Sequence, residues 1–238
     1  MCRHEGTFAD VGVPKVDCVA ELIRAVVPGE PEIARYSIDV AAPTSPSYHA
    51  QVIESLAGAD VIVDATANPD AFGPLAMVAS DGRRPLVWGE VFGGGLGGLV
   101  AAAHPDDGPC PRCVRAGFLH ATQSWPPAPA SGRVPYGGGP TEPVVAVDAD
   151  VAHIAAALTT RVLDVVSGRG LSPAVIVIGL RAGWIFDTPF QNVAVPVRAD
   201  DWSCPRCWKA PQESDPATAA LAEALFSNDN DAQDQPPQ

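Results

Sequence analysis

Apolar positions along the first half of the chain switch repeatedly between helical and strand-like spacing. From Lys15 to Val27 they recur every three or four residues, and Pro28-Gly29 ends the pattern. Residues 60–66 form a compact β-branched run that is typical of a strand buried in a parallel sheet. Further helices are predicted at 48–56, 70–79 and 147–167, and further strands at 32–39, 84–92, 174–180 and 193–197. The alternation predicts an α/β fold with a Rossmann-like, mostly parallel sheet and an antiparallel extension at its end.

The predicted fold occupies residues 1–226 as one domain. Within it, the pattern after Phe92 becomes rich in Gly, Pro and Ser, which predicts loops at 93–98 and at 125–143. Residues 216–226 predict a last short helix, whereas 227–238 are polar and acidic and predict a disordered tail.

Charge and hydropathy narrow the possible partners. The chain has 238 residues and a net charge of −13, which argues against binding to the phosphate backbone of a nucleic acid. No apolar run reaches the roughly 18–20 residues that a membrane span needs. The first ten residues carry charges and no apolar core, so no signal peptide is expected. A cytoplasmic location and no membrane partner are therefore expected.

A glycine string, Gly93-x-Gly95-x-x-Gly98, follows the predicted strand 84–92 and fits the dinucleotide-binding fingerprint. In that fingerprint the glycines open a helix, and a second strand ends in an acidic residue about 20 positions later. Here His104-Pro105 and a Cys pair follow instead. We therefore interpret the string as a turn between two strands, which also disfavours an NAD-linked dehydrogenase.

Two identical Cys-Pro-Arg-Cys tetrapeptides contain Cys110, Cys113, Cys204 and Cys207. Two residues between cysteines let both thiolates reach one ion, and two such pairs complete a tetrahedral zinc site. The rival interpretation is a redox pair in which a cysteine of low pKa opens a helix. That chemistry needs only one pair, so we predict one structural zinc that joins two distant segments. Cys2 and Cys18 stand alone and are interpreted as ordinary residues.

The order of several segments resembles the ThiF/MoeB/HesA family of E1-like enzymes, which adenylate the C-terminal glycine of ubiquitin-like proteins. The resemblance begins with Arg3-His4, continues through 10–15 and 59–68, and ends with the strand, the Gly-rich turn and the two Cys pairs. In that family the two pairs bind one structural zinc. The chain resembles the C-terminal two-thirds of the family domain and lacks the N-terminal strand and Gly-rich loop that cradle ATP.

The resemblance also implies roles for single residues. Arg3 would contact the ATP phosphates, Lys15 would neutralise the β/γ region, and Asp64 would be a weaker substitute for the Mg²⁺ ligand that the family carries where Ala67 stands. From the residues alone, Lys15 fits a solvated helix start equally well, and Asp64 fits a strand end that satisfies backbone groups. Many members form a thioester on a cysteine between the zinc pairs, but no cysteine lies between Cys113 and Cys204, so no thioester step is expected.

Two functions of different classes follow. The first is ATP-dependent adenylation of the C-terminus of a ubiquitin-like or sulfur-carrier protein, in an incomplete domain that pairs with an E1-like subunit as a homo- or heterodimer. The second is a zinc-stapled module that binds such a protein without turnover. The aromatic segment 183–190 is predicted to be a core-packing hairpin, and the alternative is a surface that receives the carrier's tail.

Overall fold

The computed structural model describes residues 10–92, 95–104, 106–127 and 146–197. The chain divides into two units, Met1–Trp202 and Ser203–Gln238, and every described residue lies in the first. The helices are α1 (Lys15–Val26), α2 (Pro46–Ala57), α3 (Pro69–Asp81), α4 (Pro111–Ala121) and α5 (Asp148–Val166). The strands are β1 (Ile62–Asp64), β2 (Leu86–Phe92), β3 (Gly97–Ala103), β4 (Val175–Gly179) and β5 (Asn192–Val195).

The five strands form one sheet in the order β1-β2-β3-β4-β5. β1 and β2 are parallel, and the other three pairs are antiparallel. The α/β class and the antiparallel extension are thus confirmed, but the mostly parallel sheet is not, for the strands that the structure describes. The physical reason lies between β2 and β3, where Phe92 pairs with Gly97. A connection of a few residues makes a hairpin, because a parallel crossover needs a dozen or more residues.

One sequence prediction holds, one is wrong, and two elements were not predicted. In the described part of the glycine string, residues 95–96 form the turn between two strands, as interpreted, and Gly97 and Gly98 already belong to β3. β3 itself and α4 were not predicted. The predicted strand at 32–39 is wrong, because these residues are assigned to no strand.

Each face of the sheet has its own core. On one face, α3 and α4 cover Leu86 and Trp88 of β2 and Leu99 of β3. On the other face, α5 packs through Ile154 and Leu158 onto Val87 and Val100. Successive side chains of β2 and β3 point to opposite faces of the sheet and therefore enter the two cores in turn. This explains why all seven residues of β3 are buried.

Close approach explains the glycines of β3 and β4. A Cβ on Gly98 would lie 2.5 Å from Ile154 of α5, and a Cβ on Gly179 would lie 2.5 Å from the ring of Phe186. Real Cβ atoms do not approach other atoms so closely, so a larger side chain at either position would force its neighbours to shift.

Contacts from Arg181 and Arg161 hold the two ends of α5. At its start, Arg181 pairs with Asp150 at 2.9 Å and also donates to the carbonyl of Gly95, which ties the β2–β3 turn to the helix. Farther along, the Nη2 atom of Arg161 donates to the carbonyls of Leu171 and Pro173 in the segment before β4. None of the described helices combines the length and apolar character that crossing a membrane requires.

Candidate functional site

The candidate site lies at the carboxyl end of β1. Asp64 is the last residue of this strand and is only 5% exposed. Its Oδ1 atom accepts hydrogen bonds from the backbone N–H of Thr66 at 2.9 Å and from the Thr66 hydroxyl at 2.7 Å. Asp64 therefore ends the strand and holds the following turn in one conformation.

The turn continues in the same way into α3. The hydroxyl of Thr66 accepts the N–H of Asn68 at 3.1 Å, and the Asn68 side chain caps α3 by accepting the N–H of Asp70 at 3.0 Å. Ala67 lies between them in the left-handed region, with φ 51°. This series of hydrogen bonds from short side chains to backbone N–H groups fixes a polar turn at the point where ligands commonly bind in open α/β sheets.

A cleft of about 440 Å³ opens beside this turn. Its walls are the segment 37–40 on one side and Thr66, Asn68, Ala71 and Leu75 on the other. The polar atoms that line the cleft belong to hydroxyl, amide and carboxylate groups, and Leu75 and Ala71 of α3 provide an apolar surface. The cleft thus combines a polar rim with an apolar surface, as small-molecule sites do.

Asp64 is not the only charged residue at this edge of the sheet. Burial raises the pKa of Glu90 on β2, the nearby charge of Asp64 raises it further, and the Arg115 guanidinium opposes both effects. Arg115, from α4, stacks over the ring of Phe72 at 4.5 Å, and Phe72 meets Trp88 edge-on at 5.2 Å. Glu90 and Arg115 line a small cavity together with Trp88, separate from the cleft beside Thr66 and Asn68, and the aromatic pair holds the guanidinium there.

Sequence reasoning missed Glu90 and Arg115. The available signal was a lone carboxylate in the otherwise apolar strand 86–92. Nothing in the spacing indicated that Arg115 would lie opposite it, since the helix that carries Arg115 was not predicted.

Lys15 is not in this cleft. It is the first residue of α1 and lines a separate cleft of about 480 Å³, formed by α1 and residues 33–36. The segment 33–40 thus borders both clefts, with Lys15 on one and the turn after Asp64 on the other. Arg3, the third predicted ATP contact, lies outside the described residues.

The first Cys pair is placed at the start of α4. Cys110 is the N-cap residue and Cys113 follows within the first turn, and both are buried. One helical turn brings two thiols to one side, which fits half of a tetrahedral zinc site. Cys204 and Cys207 lie outside the described residues, and within the described ranges no three metal-ligating side chains come together.

The same position at a helix start is also used by redox pairs, so burial decides between the two interpretations. A redox dithiol must reach an external disulfide, and reactive cysteines are therefore partly exposed. Burial of both Cys110 and Cys113 favours the structural interpretation.

The middle of the aromatic segment packs into the core as predicted, whereas Gly183 and residues 187–190 are exposed. Phe186 is buried over the gap left by Gly97 and Gly179. Trp184 meets Phe92, Trp125 and Phe186 edge-on, and its indole N–H donates to the carbonyl of Pro126 at 2.7 Å. Phe190 is the exception, because it is exposed and lies against His153.

Comparison with known proteins shows no family for this chain. No family model matches the chain, and no curated protein matches it. Among solved structures, the crystal structure of selenomethionine PaaA matches with a TM-score of 0.48 and 17% identity, over 82% of this chain and 60% of PaaA. The chain thus spans less than two-thirds of that protein's length. A similarity at this level does not assign a function.

Proposed function

We propose that the chain is an E1-like domain of the ThiF/MoeB/HesA type, whose reaction is ATP-dependent adenylation of the C-terminus of a ubiquitin-like or sulfur-carrier protein. The observation that carries the proposal is the buried Asp64 at the carboxyl end of β1, which holds a polar turn beside an open cleft. The order of sequence motifs around Asp64 supports the same assignment.

Adenylation makes few demands on covalent chemistry. The terminal carboxylate of the carrier attacks the α-phosphorus of ATP, and the bond to pyrophosphate breaks, so the protein must place the two reactants and neutralise the leaving group. Lys15 and Arg3 are the cations proposed for the leaving group. Because Lys15 lines the neighbouring cleft, its side chain would reach the phosphates across the segment 33–40.

Mg²⁺ fits the site only in part. Both hydrogen bonds that Asp64 accepts from described residues fall on Oδ1, so Oδ2 is the oxygen proposed to hold a cation. Ala67 offers no ligand where the family carries a carboxylate. Bound Mg²⁺ would neutralise the phosphate charge, and Asp64 would be its ligand from this chain.

The proposal includes a partner for the nucleotide. An E1-like subunit, in a homo- or heterodimer, is proposed to supply the phosphate loop. Cys110, Cys113, Cys204 and Cys207 are proposed to hold one structural zinc. No thioester step is proposed, because no cysteine lies between Cys113 and Cys204.

The experiment measures exchange of labelled pyrophosphate into ATP, with a carrier protein ending in Gly-Gly and with a full-length E1-like protein added. Exchange above that of the E1-like protein alone supports the proposal. Asp64→Asn should remove the increment, whereas Asp70→Asn, which changes an exposed carboxylate of the same region, should retain it. A carrier with an amidated C-terminus should give no exchange.

The second candidate is a zinc-stapled binding module without turnover, which is favoured by the separation of Lys15 from the Asp64 cleft. Carrier binding by calorimetry that is independent of ATP and unchanged by Asp64→Asn, together with no increment in exchange, would select this function over adenylation.

A further inference from the structure

The inference concerns a cavity of about 530 Å³ at the end of β1 opposite Asp64, and it does not depend on adenylation. Asp60 lies just before β1, and residues 83–85 lie just before β2, so the cavity adjoins the amino ends of both strands. The last turn of α5 and residues 168–171 form another wall. The cavity shares no lining residue with the cleft beside Asp64, and its volume is typical of a small-molecule site.

Two arginines of this cavity are held in place and still have donors to offer. The Nε atom of Arg84, which is half-buried, donates to the carbonyl of Ala57 at 3.1 Å. The Nε atom of Arg169 lies 2.9 Å from the carboxylate of Asp164. Among the described residues, none accepts a hydrogen bond from the Nη atoms of either arginine. Each guanidinium therefore keeps a pair of donors, which matches the oxygens of a phosphate or a carboxylate.

A third arginine, Arg83, occupies a backbone position that favours glycine. Its φ is 52°, in the left-handed region, and the N–H of the next residue donates to the carbonyl of Ala79 at 2.8 Å to close the end of α3. The Arg83 side chain is 72% exposed and pairs with Asp106, and an ion pair so exposed contributes little to stability. A side chain at a strained position that it does not stabilise indicates a function for that side chain.

The cavity also contains carboxylates, which exclude a bare anion as its preferred ligand. Asp60 and Asp107 line it, both are exposed, and neither carboxylate bonds to a described residue. Two negative charges in the same cavity repel an ion such as inorganic phosphate. Carboxylates accept hydrogen bonds from hydroxyl groups, so a ligand that carries hydroxyls beside its anionic group uses both kinds of lining residue.

The remaining lining residues complete the description of the ligand. Three guanidiniums against two carboxylates favour a phosphate ester, which carries up to two charges, over the single carboxylate of an amino acid. Pro85, Val165 and Leu171 provide apolar surface for a short carbon skeleton. A phosphorylated sugar combines the anionic group, the hydroxyls and the skeleton in one small molecule.

We propose that this cavity binds a small phosphorylated sugar. The Nη atoms of Arg84 and Arg169 hold the phosphate, and the guanidinium of Arg83 adds to the positive charge around it. Asp60 and Asp107 accept hydrogen bonds from the sugar hydroxyls. Because the cavity and the Asp64 cleft share no lining residue, the sugar phosphate and the proposed nucleotide do not compete for the same groups.

The test titrates the full chain with ribose 5-phosphate, ribose, inorganic phosphate and serine, and measures binding by calorimetry. Ribose 5-phosphate should bind saturably. The other three probes should each bind at least tenfold more weakly, because each lacks the phosphate or the sugar hydroxyls. Amide chemical shifts followed by NMR should change at Gly168 and Gly170, which line the cavity. They should stay unchanged at Thr66 and Asn68, which line the other cleft.

A pair of matched variants separates the cavity from general charge effects. Arg169→Gln removes a guanidinium of the cavity and should weaken the binding of ribose 5-phosphate at least tenfold. Arg24→Gln removes the same charge from an exposed ion pair on α1, outside the cavity, and should leave the affinity within about twofold. Circular dichroism of both variants checks that the fold is retained, and equal effects of the two variants would contradict the proposal.

A third variant tests the hydroxyl contacts. Asp60→Ala removes an acceptor for the hydroxyls and also a charge that repels phosphate. The preference for ribose 5-phosphate over inorganic phosphate should therefore fall at least fivefold. An unchanged preference would show that Asp60 does not bind the sugar.

Results from the probes themselves also overturn the proposal. No saturable binding of ribose 5-phosphate shows that the cavity does not bind a sugar phosphate, and equal binding of inorganic phosphate shows that it binds a bare anion. Tighter binding of serine shows that its ligand is a zwitterion. Shifts at Thr66 and Asn68 show that the probe occupies the Asp64 cleft instead. None of these assays contains ATP or a carrier protein, so failure here is distinct from failure of adenylation.

Discussion

At the scale of single residues, the informative positions are charged groups that the chain buries. Asp64, Asp150 and Arg161 are the buried charged residues of the described ranges. Each bonds to backbone or side-chain groups at the end of a strand or beside a helix, because a charge without such partners is too costly to bury. Only Asp64 among them borders the candidate site, so Asp150 and Arg161 are assigned to stability.

Arg161 gives the clearest stability prediction at this scale. Arg161→Met removes the donor to the Leu171 and Pro173 carbonyls and should lower the free energy of unfolding by about 2–3 kcal/mol. Arg169→Met removes an exposed pair with Asp164 and should change it by less than about 0.5 kcal/mol. Urea unfolding measures both variants, and equal losses would contradict the role assigned to Arg161.

Glu90 gives a pH prediction. Its pKa in the folded chain is raised above 4.5 by burial, which outweighs the opposing charge of Arg115 and to which the charge of Asp64 adds, so the folded state binds the Glu90 proton more tightly than the unfolded state. The contribution of Glu90 to the free energy of unfolding therefore falls as the pH rises from 4.5 through the folded-state pKa. Above the folded-state pKa, the destabilisation by the ionised carboxylate is complete. Protonation restores stability on the acidic side.

The variant that tests this is Glu90→Gln, which keeps the shape and removes the ionisation. Relative to the native chain, it should gain stability as the pH rises from 4 to 8. Glu54→Gln, at an exposed position of α2, should follow the native pH profile. Parallel profiles for Glu90→Gln and the native chain would show that Glu90 ionises without cost in the fold.

At the scale of elements, the sequence pattern predicts secondary structure correctly where a single amphipathic or β-branched segment determines it. The predicted helix at 15–27 corresponds to α1, and that at 147–167 corresponds to α5. The strands at 174–180 and 193–197 correspond to β4 and β5, with the predicted antiparallel pairing.

The elements that the sequence does not predict depend on distant partners. β3 is rich in Gly and Ala, which disfavour strands, and it forms because Ile154 and Phe186 approach its glycines closely. The segment 32–39 has the composition of a strand, but no described strand pairs with it. A strand needs a partner, and composition alone does not provide one.

Close packing at one glycine and open space at another predict opposite effects of alanine on the stability of the fold. Gly179→Ala forces its Cβ against the Phe186 ring and should destabilise the fold by about 1–3 kcal/mol. Gly170→Ala, at an exposed loop position with open space around it, should stabilise the fold by about 0.4–1 kcal/mol, because alanine restricts the unfolded chain. Thermal unfolding compares them, and the same sign for both would refute this account of the glycines.

At the scale of the whole molecule, the central question is what the two Cys pairs and the Asp64 cleft do together. Asp64 is buried at the end of β1 and the first Cys pair is buried at the start of α4, and the roles that the sequence predicts for these residues stay predictions. The family resemblance implied that Lys15 and Asp64 act on one nucleotide, and the structure places Lys15 in the cleft adjacent to the turn after Asp64. Relations between distant segments, such as Glu90 with Arg115, depend on packing that no local pattern encodes.

The zinc prediction belongs to this scale. Metal analysis of the purified chain should give one zinc per chain. Cys110→Ser should remove it and lower the thermal midpoint, because a metal that binds only the folded chain stabilises it. Cys18→Ser changes a cysteine outside the two pairs and should retain the zinc. Zinc retained in the Cys110→Ser chain would show that the four cysteines do not form one site.

The proposed adenylation is tested most directly by the mass of the carrier. A carrier protein ending in Gly-Gly, incubated with ATP, the chain and a catalytically dead E1-like protein that keeps its phosphate loop, should gain the mass of one adenylyl group. Asp64→Asn should prevent the gain and Asp70→Asn should not. A carrier of unchanged mass under conditions where an intact E1-like enzyme adenylates it fully would contradict the proposed function.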